Sequence, residues 1–304
     1  MTGEPVGNVY YGTSSWTDPT LVKSKAFYPP GAGNPEKRLR FYSEHFPLVE
    51  VDATFYALPS ERNAALWAER TPDHFVFNVK AFGLMTQHAV ATRSLPEAIR
   101  GMLPEEAASK NRVYARDLPE DAVNAVWDMF ASALRPLADA GKLGAILYQF
   151  PHWFAASRQN VAYLRELAER SPAQAAIEFR GAGWMKDPGK QERTLDLLRE
   201  IGATYVVVDE PQGFKTSVPP VVAATSPDLA MVRFHGHNEE NWEKQGITAA
   251  ERFKYLYDEE ELSKWVAPAR ELAAESKQLH ILMNNCYADY GVRNAAQFAG
   301  LLAK

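Results

Sequence analysis

The chain has 304 residues, with 33 Lys and Arg against 38 Asp and Glu and a formal net charge of -5. That balance excludes a generally basic nucleic-acid-binding surface and leaves room only for a local basic cleft. No apolar run reaches the ~20 residues of a membrane helix, no basic segment leads into an apolar core near Met1, and the single cysteine, Cys286, rules out an internal disulfide, so a cytoplasmic protein with no membrane partner is expected.

Residues 1–8 are short and polar and predict a flexible tail. Eight apolar runs then follow in order: Val9 to Trp16, Leu48 to Phe55, Phe75 to Phe82, Leu143 to Phe150, Ala173 to Arg180, Ala203 to Glu210, Leu229 to Gly236 and Gln278 to Asn285. Each is rich in Val, Ile, Phe or Tyr, the signature of strands buried on both faces of a parallel sheet. Helical patterns fill most of the gaps, at Pro35 to His45, Ser60 to Glu69, Pro119 to Ala140, Arg158 to Arg170, Gln191 to Ile201, Asp258 to Glu275 and Asn294 to Leu302. Eight βα units in a chain of this length predict an α/β protein with a single (β/α)8 TIM barrel domain spanning 1–304. Residues 83–118, between the third strand and its helix, exceed what one connection needs and predict an insertion over the C-terminal face. The segment Pro211 to Asp228 lacks helical periodicity and is interrupted by prolines, which predicts a missing or reduced sixth helix.

Nearly every run carries polar residues near its end, and in this fold the C-terminal strand ends carry the active site. Residues two apart on a strand share a face, so Glu50, Asp52 and Thr54 point together, as do Asn78 with Lys80, Glu178 with Arg180, and Arg233 with His235. With Val49, Val51, Phe77, Val79, Ile177, Phe179, Val232 and Phe234 packed outward against helices, the polar set projects into the barrel. Burying ions without partners costs several kcal/mol each, so these groups must pair with one another or hold a ligand.

The segments GTSSW (Gly12 to Trp16), FYP (Phe27 to Pro29), VEVDATFYALPS (Val49 to Ser60), TPDHFVFNVKAF (Thr71 to Phe82), QFP (Gln149 to Pro151), EFRGAGW (Glu178 to Trp184), RFHGHN (Arg233 to Asn238), YLYDEEEL (Tyr255 to Leu262) and NNCYADYGVRNA (Asn284 to Ala295) resemble the YecE-like proteins, domain of unknown function 72. The likeness runs from the first strand to the last helix. It implies a (β/α)8 barrel without an established reaction. Asp52 stands where the family motif usually has Asn, and His237 where it often has Arg.

Lys80, Arg180 and Arg233 place three cations around one mouth and suit phosphate or carboxylate recognition. Equally, they balance Glu50, Asp52, Glu178 and Asp209 in an internal ion-pair network. His235 is the candidate proton carrier, or else a histidine bonded within the wall. Glu178 and Glu50 form a possible carboxylate pair for acid and base catalysis, with Arg180 holding Glu178 ionised. Asn284 and Asn285 end the last strand and are placed to orient a polar ligand. Trp16, Tyr56, Trp184, Tyr255, Tyr257 and Tyr287 frame the mouth as stacking platforms or as packing under loops. Cys286 reads as a small packed residue. Without GxGxxG or a Walker loop no nucleotide cofactor is implied, and no resident metal is expected.

The expected partner is an anionic small molecule or a nucleic-acid fragment. A hydrolase or lyase heads the functional readings. A non-catalytic nucleic-acid-binding protein and a metal-dependent phosphodiesterase resembling endonuclease IV are the alternatives. The sequence sets no oligomeric state.

Overall fold

A computed structural model describes residues 3–304. Its eight barrel strands are β1 (Val9–Ser14), β2 (Leu48–Val51), β3 (Val76–Lys80), β4 (Leu143–Gln149), β5 (Gln174–Glu178), β6 (Thr204–Asp209), β7 (Leu229–Phe234) and β8 (Gln278–Met283). All pair parallel and in chain order, and β8 returns to β1 through Val9 opposite Leu279 and Thr13 opposite Met283. The expected barrel is therefore present. Its strands stop earlier than the apolar runs do, so Asp52, Arg180, Glu210, His235 and Asn284 sit just past strand ends rather than within them.

The outward layer behaves as side-chain alternation requires. Val49, Val51, Phe77, Val79, Ile177, Phe179, Val232 and Phe234 are at most 3% exposed, and each such burial contributes roughly 1.5–3 kcal/mol. Inside, the lumen floor is polar and closed. Asn78 Oδ1 accepts from the Ala145 amide at 2.9 Å and lies 3.0 Å from His280 Nδ1. Gly144 makes room for this plug, since a Cβ there would lie 2.5 Å from Asn78 Oδ1. Burial pushes His280 down to about 3, so the plug is neutral.

Helices surround the strands with shifts at their ends. Ser60 caps Glu61–Glu69 by accepting from the Asn63 amide, and Asp187 starts Pro188–Glu200 one turn before the periodicity predicts. The expected continuous helix from Asp258 to Glu275 is instead two, Glu259–Lys264 and Val266–Glu275. Pro268 explains the break, because its ring cannot continue a helix already under way but fits a first turn. The final helix, Tyr290–Leu302, begins a turn early. No helix or strand forms in Pro211 to Asp228, where Pro211, Pro219, Pro220 and Pro227 deny backbone donors. Among the described residues no helix is long and apolar enough to cross a membrane.

Within 83–118, Val90–Ala91 pairs antiparallel with Arg112–Val113. Leu84, Met85, Leu95, Ile99 and Val113 join the main apolar core. The turn Gly83–His88 reaches the barrel mouth, where the His88 ring meets Phe55 and Trp153. At the other end of the chain, His74 Nε2 is 3.0 Å from Gly3 O, Val6 and Val9 exchange backbone bonds, and Asn8 Nδ2 donates to Ala273 O and Ser276 O, while residues 1–2 of the expected tail lie outside the described residues.

Candidate functional site

Arg233, at the end of β7, is the hub of the lumen. It is 1% exposed, and its Nε and Nη2 donate to the two oxygens of Glu50 at 3.0 and 2.6 Å. Nη1 donates to Glu178 Oε2 at 2.5 Å, and Nη2 also reaches Ser14 Oγ and Asn284 Oδ1 at 3.3 Å. Such bidentate geometry is what allows an ion to remain buried. Burial opposes the charges on both sides, but Glu178 and Glu50 keep Arg233 protonated, and Arg233, followed by His235 and Arg180, holds Glu178 well below the usual carboxylate range. Arg180 is thus a minor cause of the ionised Glu178.

His235 completes the network from the residue after β7. Its Nε2 lies 3.1 Å from Glu178 Oε1, and the Asn284 amide nitrogen lies 2.8 Å from Nδ1. The partners assign the tautomer: Asn284 donates to Nδ1, so Nε2 carries the hydrogen and donates to Glu178. Burial pushes the imidazole down to about 4 against the pull of Glu178. His235 is fully buried with both nitrogens engaged, the within-wall alternative of the sequence reading.

The mouth is built differently. Lys80, ending β3, donates from Nζ to the neutral Gln149 Oε1 at 2.9 Å and lies 4.8 Å from the centre of the Phe55 ring. It forms no ion pair with any carboxylate among the described residues. Burial, then Arg233, lowers its affinity for a proton. Gln149 passes the contact on, donating to Glu178 Oε1 at 2.7 Å. Arg180 is 17% exposed along its side chain, reaches Glu178 and Glu210 only at 3.3 and 3.2 Å, and stacks on Trp242 at 4.8 Å.

Carboxyls here are correspondingly poorly held. Asp52, beside Lys80 because Val51 pairs with Val79, is raised to about 6 by burial although Lys80 pulls against it. Glu210 is raised to about 7 by burial against the pull of Arg180, with one oxygen accepting from the Val218 amide at 2.7 Å. On the far rim Tyr257 donates to Asp209 at 2.6 Å, and His237 Nε2 lies 2.9 Å from the same carboxylate, which raises the imidazole. Among the described residues no group of three or more His, Cys, Asp or Glu side chains is arranged to hold a metal.

Thr54 and Asn285 depart from expectation, and for Trp184 and Trp16 the packing alternative holds. Thr54 leaves the lumen, because the chain turns into Ala53–Phe55 and its hydroxyl donates to Val51 O and Lys80 O. Trp184 is 3% exposed, packed parallel to Phe154 and Phe179 with its indole donating to Phe154 O, so it props a loop. Trp16 is buried edge-on against Trp67 and Phe77. Asn285 is also buried, with its amide spent on Tyr255 O and Asn294 Oδ1 rather than on a ligand. Of the aromatic frame Tyr56 is the most open, at 66%. Cys286 sits against Ser14 O with burial pushing its thiol up, in keeping with a packed role. Gln149, Glu210, Ser14 and Trp242 were missed. Gln149 and Glu210 carried a usable signal, as polar residues closing apolar strand runs.

The family described as "Protein of unknown function DUF72" matches residues 10–304. The chain belongs to this family. The "UPF0759 protein YunF" of Bacillus subtilis is 35% identical over 298 residues, covering 97% of this chain and 94% of its own. A DUF72 crystal structure from Thermotoga maritima is 32% identical with a TM-score of 0.74, covering 97% of this chain and 99% of its own. One from Enterococcus faecalis is 26% identical with a TM-score of 0.75, covering 97% and 96%. The resemblance drawn from the sequence motifs is thereby established as membership, and this DUF72 barrel inherits a fold without an inherited reaction.

Proposed function

We propose that the mouth of this DUF72 barrel binds a small molecule bearing a carboxylate or phosphate, and that the protein acts on it as a hydrolase or lyase. The observation carrying this reading is Lys80: a half-buried ammonium at a strand end, given one neutral acceptor and no carboxylate. An ion left so short of partners costs stability unless a ligand supplies the missing charge. Arg180, held loosely by two long contacts, is the second cation available to the same ligand. In this reading Arg233, Glu50 and Glu178 set the wall, while Asn284, tied to both Arg233 and His235, faces the ligand from β8.

Proton transfer falls to Asp52. Glu178 is held ionised by Arg233, and His235 has no free nitrogen, whereas Asp52 titrates near 6 beside Lys80. A polyanion fits less well. Glu50, Asp52, Glu178, Asp209 and Glu210 outnumber Lys80, Arg180 and Arg233 around the lumen, which repels a nucleic-acid backbone more than it repels a single carboxylate.

The test is Lys80→Met with thermal unfolding in rising inorganic phosphate or small carboxylates. The folded protein lowers the proton affinity of Lys80, so its charge costs stability at pH 7, a cost relieved as pH rises towards the ordinary lysine range. The variant should therefore be about 1 kcal/mol more stable without ligand, and should lose the midpoint rise that anions produce in the parent protein. A parent protein whose midpoint ignores every such anion would remove the reading.

A further inference from the structure

We propose that Lys80 is a nucleophile that forms an imine with a small anionic carbonyl compound, a 2-oxo acid or a phosphorylated aldehyde; the inference rests on the anion-binding reading and selects lyase over hydrolase chemistry. The geometry separates Lys80 from the other buried lysine. Lys142 is 4% exposed and donates to Ala68 O, Thr71 O and Thr71 Oγ1, so its ammonium is consumed at the other end of the strands. Lys80 has one acceptor, the Gln149 amide, which aligns the nitrogen without neutralising it. Its side chain is half-buried, with Nζ 4.8 Å from the centre of the Phe55 ring. Burial and the neighbouring Arg233 both favour the uncharged amine that nucleophilic attack requires.

The charge layout fits the electrophile. Arg180 offers a half-free guanidinium linked to Lys80 through Glu178 and Gln149, so the substrate's carboxylate or phosphate, drawn in by both cations, rests on Arg180 while the Lys80 ammonium passes a proton to the Asp52 carboxylate and Nζ meets the carbonyl. The neutral amine adds to the carbonyl carbon, forming a C–N bond as the carbonyl electron pair moves to oxygen and takes a proton from the Asp52 carboxyl. Asp52 then receives a proton from nitrogen and returns it to the hydroxyl. That group leaves as water while the nitrogen lone pair forms C=N. Nothing is oxidised or reduced. The protonated imine then draws electrons from the adjacent bond, which is the requirement of a lyase.

The experiment incubates the full chain with pyruvate or with glycolaldehyde phosphate and sodium cyanoborohydride, followed by peptide mass mapping. The expected result is one reduced adduct per chain, on Lys80, suppressed by excess inorganic phosphate and lost in Lys80→Arg. The two probes distinguish carboxylate from phosphate as the anchoring group. The same compounds are titrated against parent and Lys80→Arg proteins by calorimetry, where binding is expected to persist in both. Binding without any Lys80 adduct overturns the imine and leaves the anion site standing. Adducts spread over surface lysines and indifferent to phosphate overturn it as well, even where Lys80→Arg does not fold. Absence of binding to the parent removes both readings together.

Discussion

Arg233 and Lys80 lie in the same barrel lumen and are treated in opposite ways. Arg233 receives two carboxylates at 2.5 to 3.0 Å, and a serine hydroxyl and an amide oxygen at 3.3 Å. Lys80 receives one amide oxygen. The inner network is a closed account of donors and acceptors, whereas the rim of Lys80, Asp52, Arg180 and Glu210 is left short of them. A charged residue's position at a strand end therefore does not tell wall from site; the count of its partners does.

Arg233→Met tests the inner side most severely. It strands Glu50 and Glu178 as buried carboxylates and is expected to cost roughly 3–5 kcal/mol in urea unfolding, partly restored by adding Glu50→Gln. A loss below ~1 kcal/mol would show that the network is not structural.

The next effect is in pH dependence, through His235→Gln. Folding lowers His235 from 6.5 to about 4, so between these values the native state binds fewer protons than the unfolded chain and stability falls as pH drops. Removing the imidazole should flatten that fall by up to ~1.4 kcal/mol per pH unit across the window. Asp52 and Glu210, raised by burial, act in the opposite direction, so the quantity to measure is the difference between variant and parent. Parallel profiles would mean that His235 is charged in the folded protein.

Arg180→Met should have the smallest effect. Glu178 keeps Arg233, His235 and Gln149, and Glu210, already raised to about 7, can take a proton. The thermal midpoint should fall by the equivalent of about 1 kcal/mol or less. A loss as large as that of Arg233→Met would place Arg180 in the wall and blur the division between the two regions.

Strand positions, the apolar outer layer and the lumen location of Glu50, Lys80, Glu178, Arg180 and Arg233 were legible from the chain because alternation is a local property of an extended backbone. The missing helix in Pro211 to Asp228 was legible for a similar reason, since proline acts on its own neighbours. The turn of Thr54 out of the lumen, the stacking of Trp184 beneath a loop and the burial of Asn285 were not, because each depends on what the rest of the fold brings against those residues. The same holds for charge. Glu50 and Arg233 are 183 positions apart, and no spacing rule shows that this pair satisfies itself while Lys80 goes without an acid. The sequence determined which faces of the strands point into the barrel; tertiary structure decided where the chain leaves that pattern and which of the inward groups are neutralised, because ion pairing and burial depend on distances of a few ångströms between strands that no local pattern specifies.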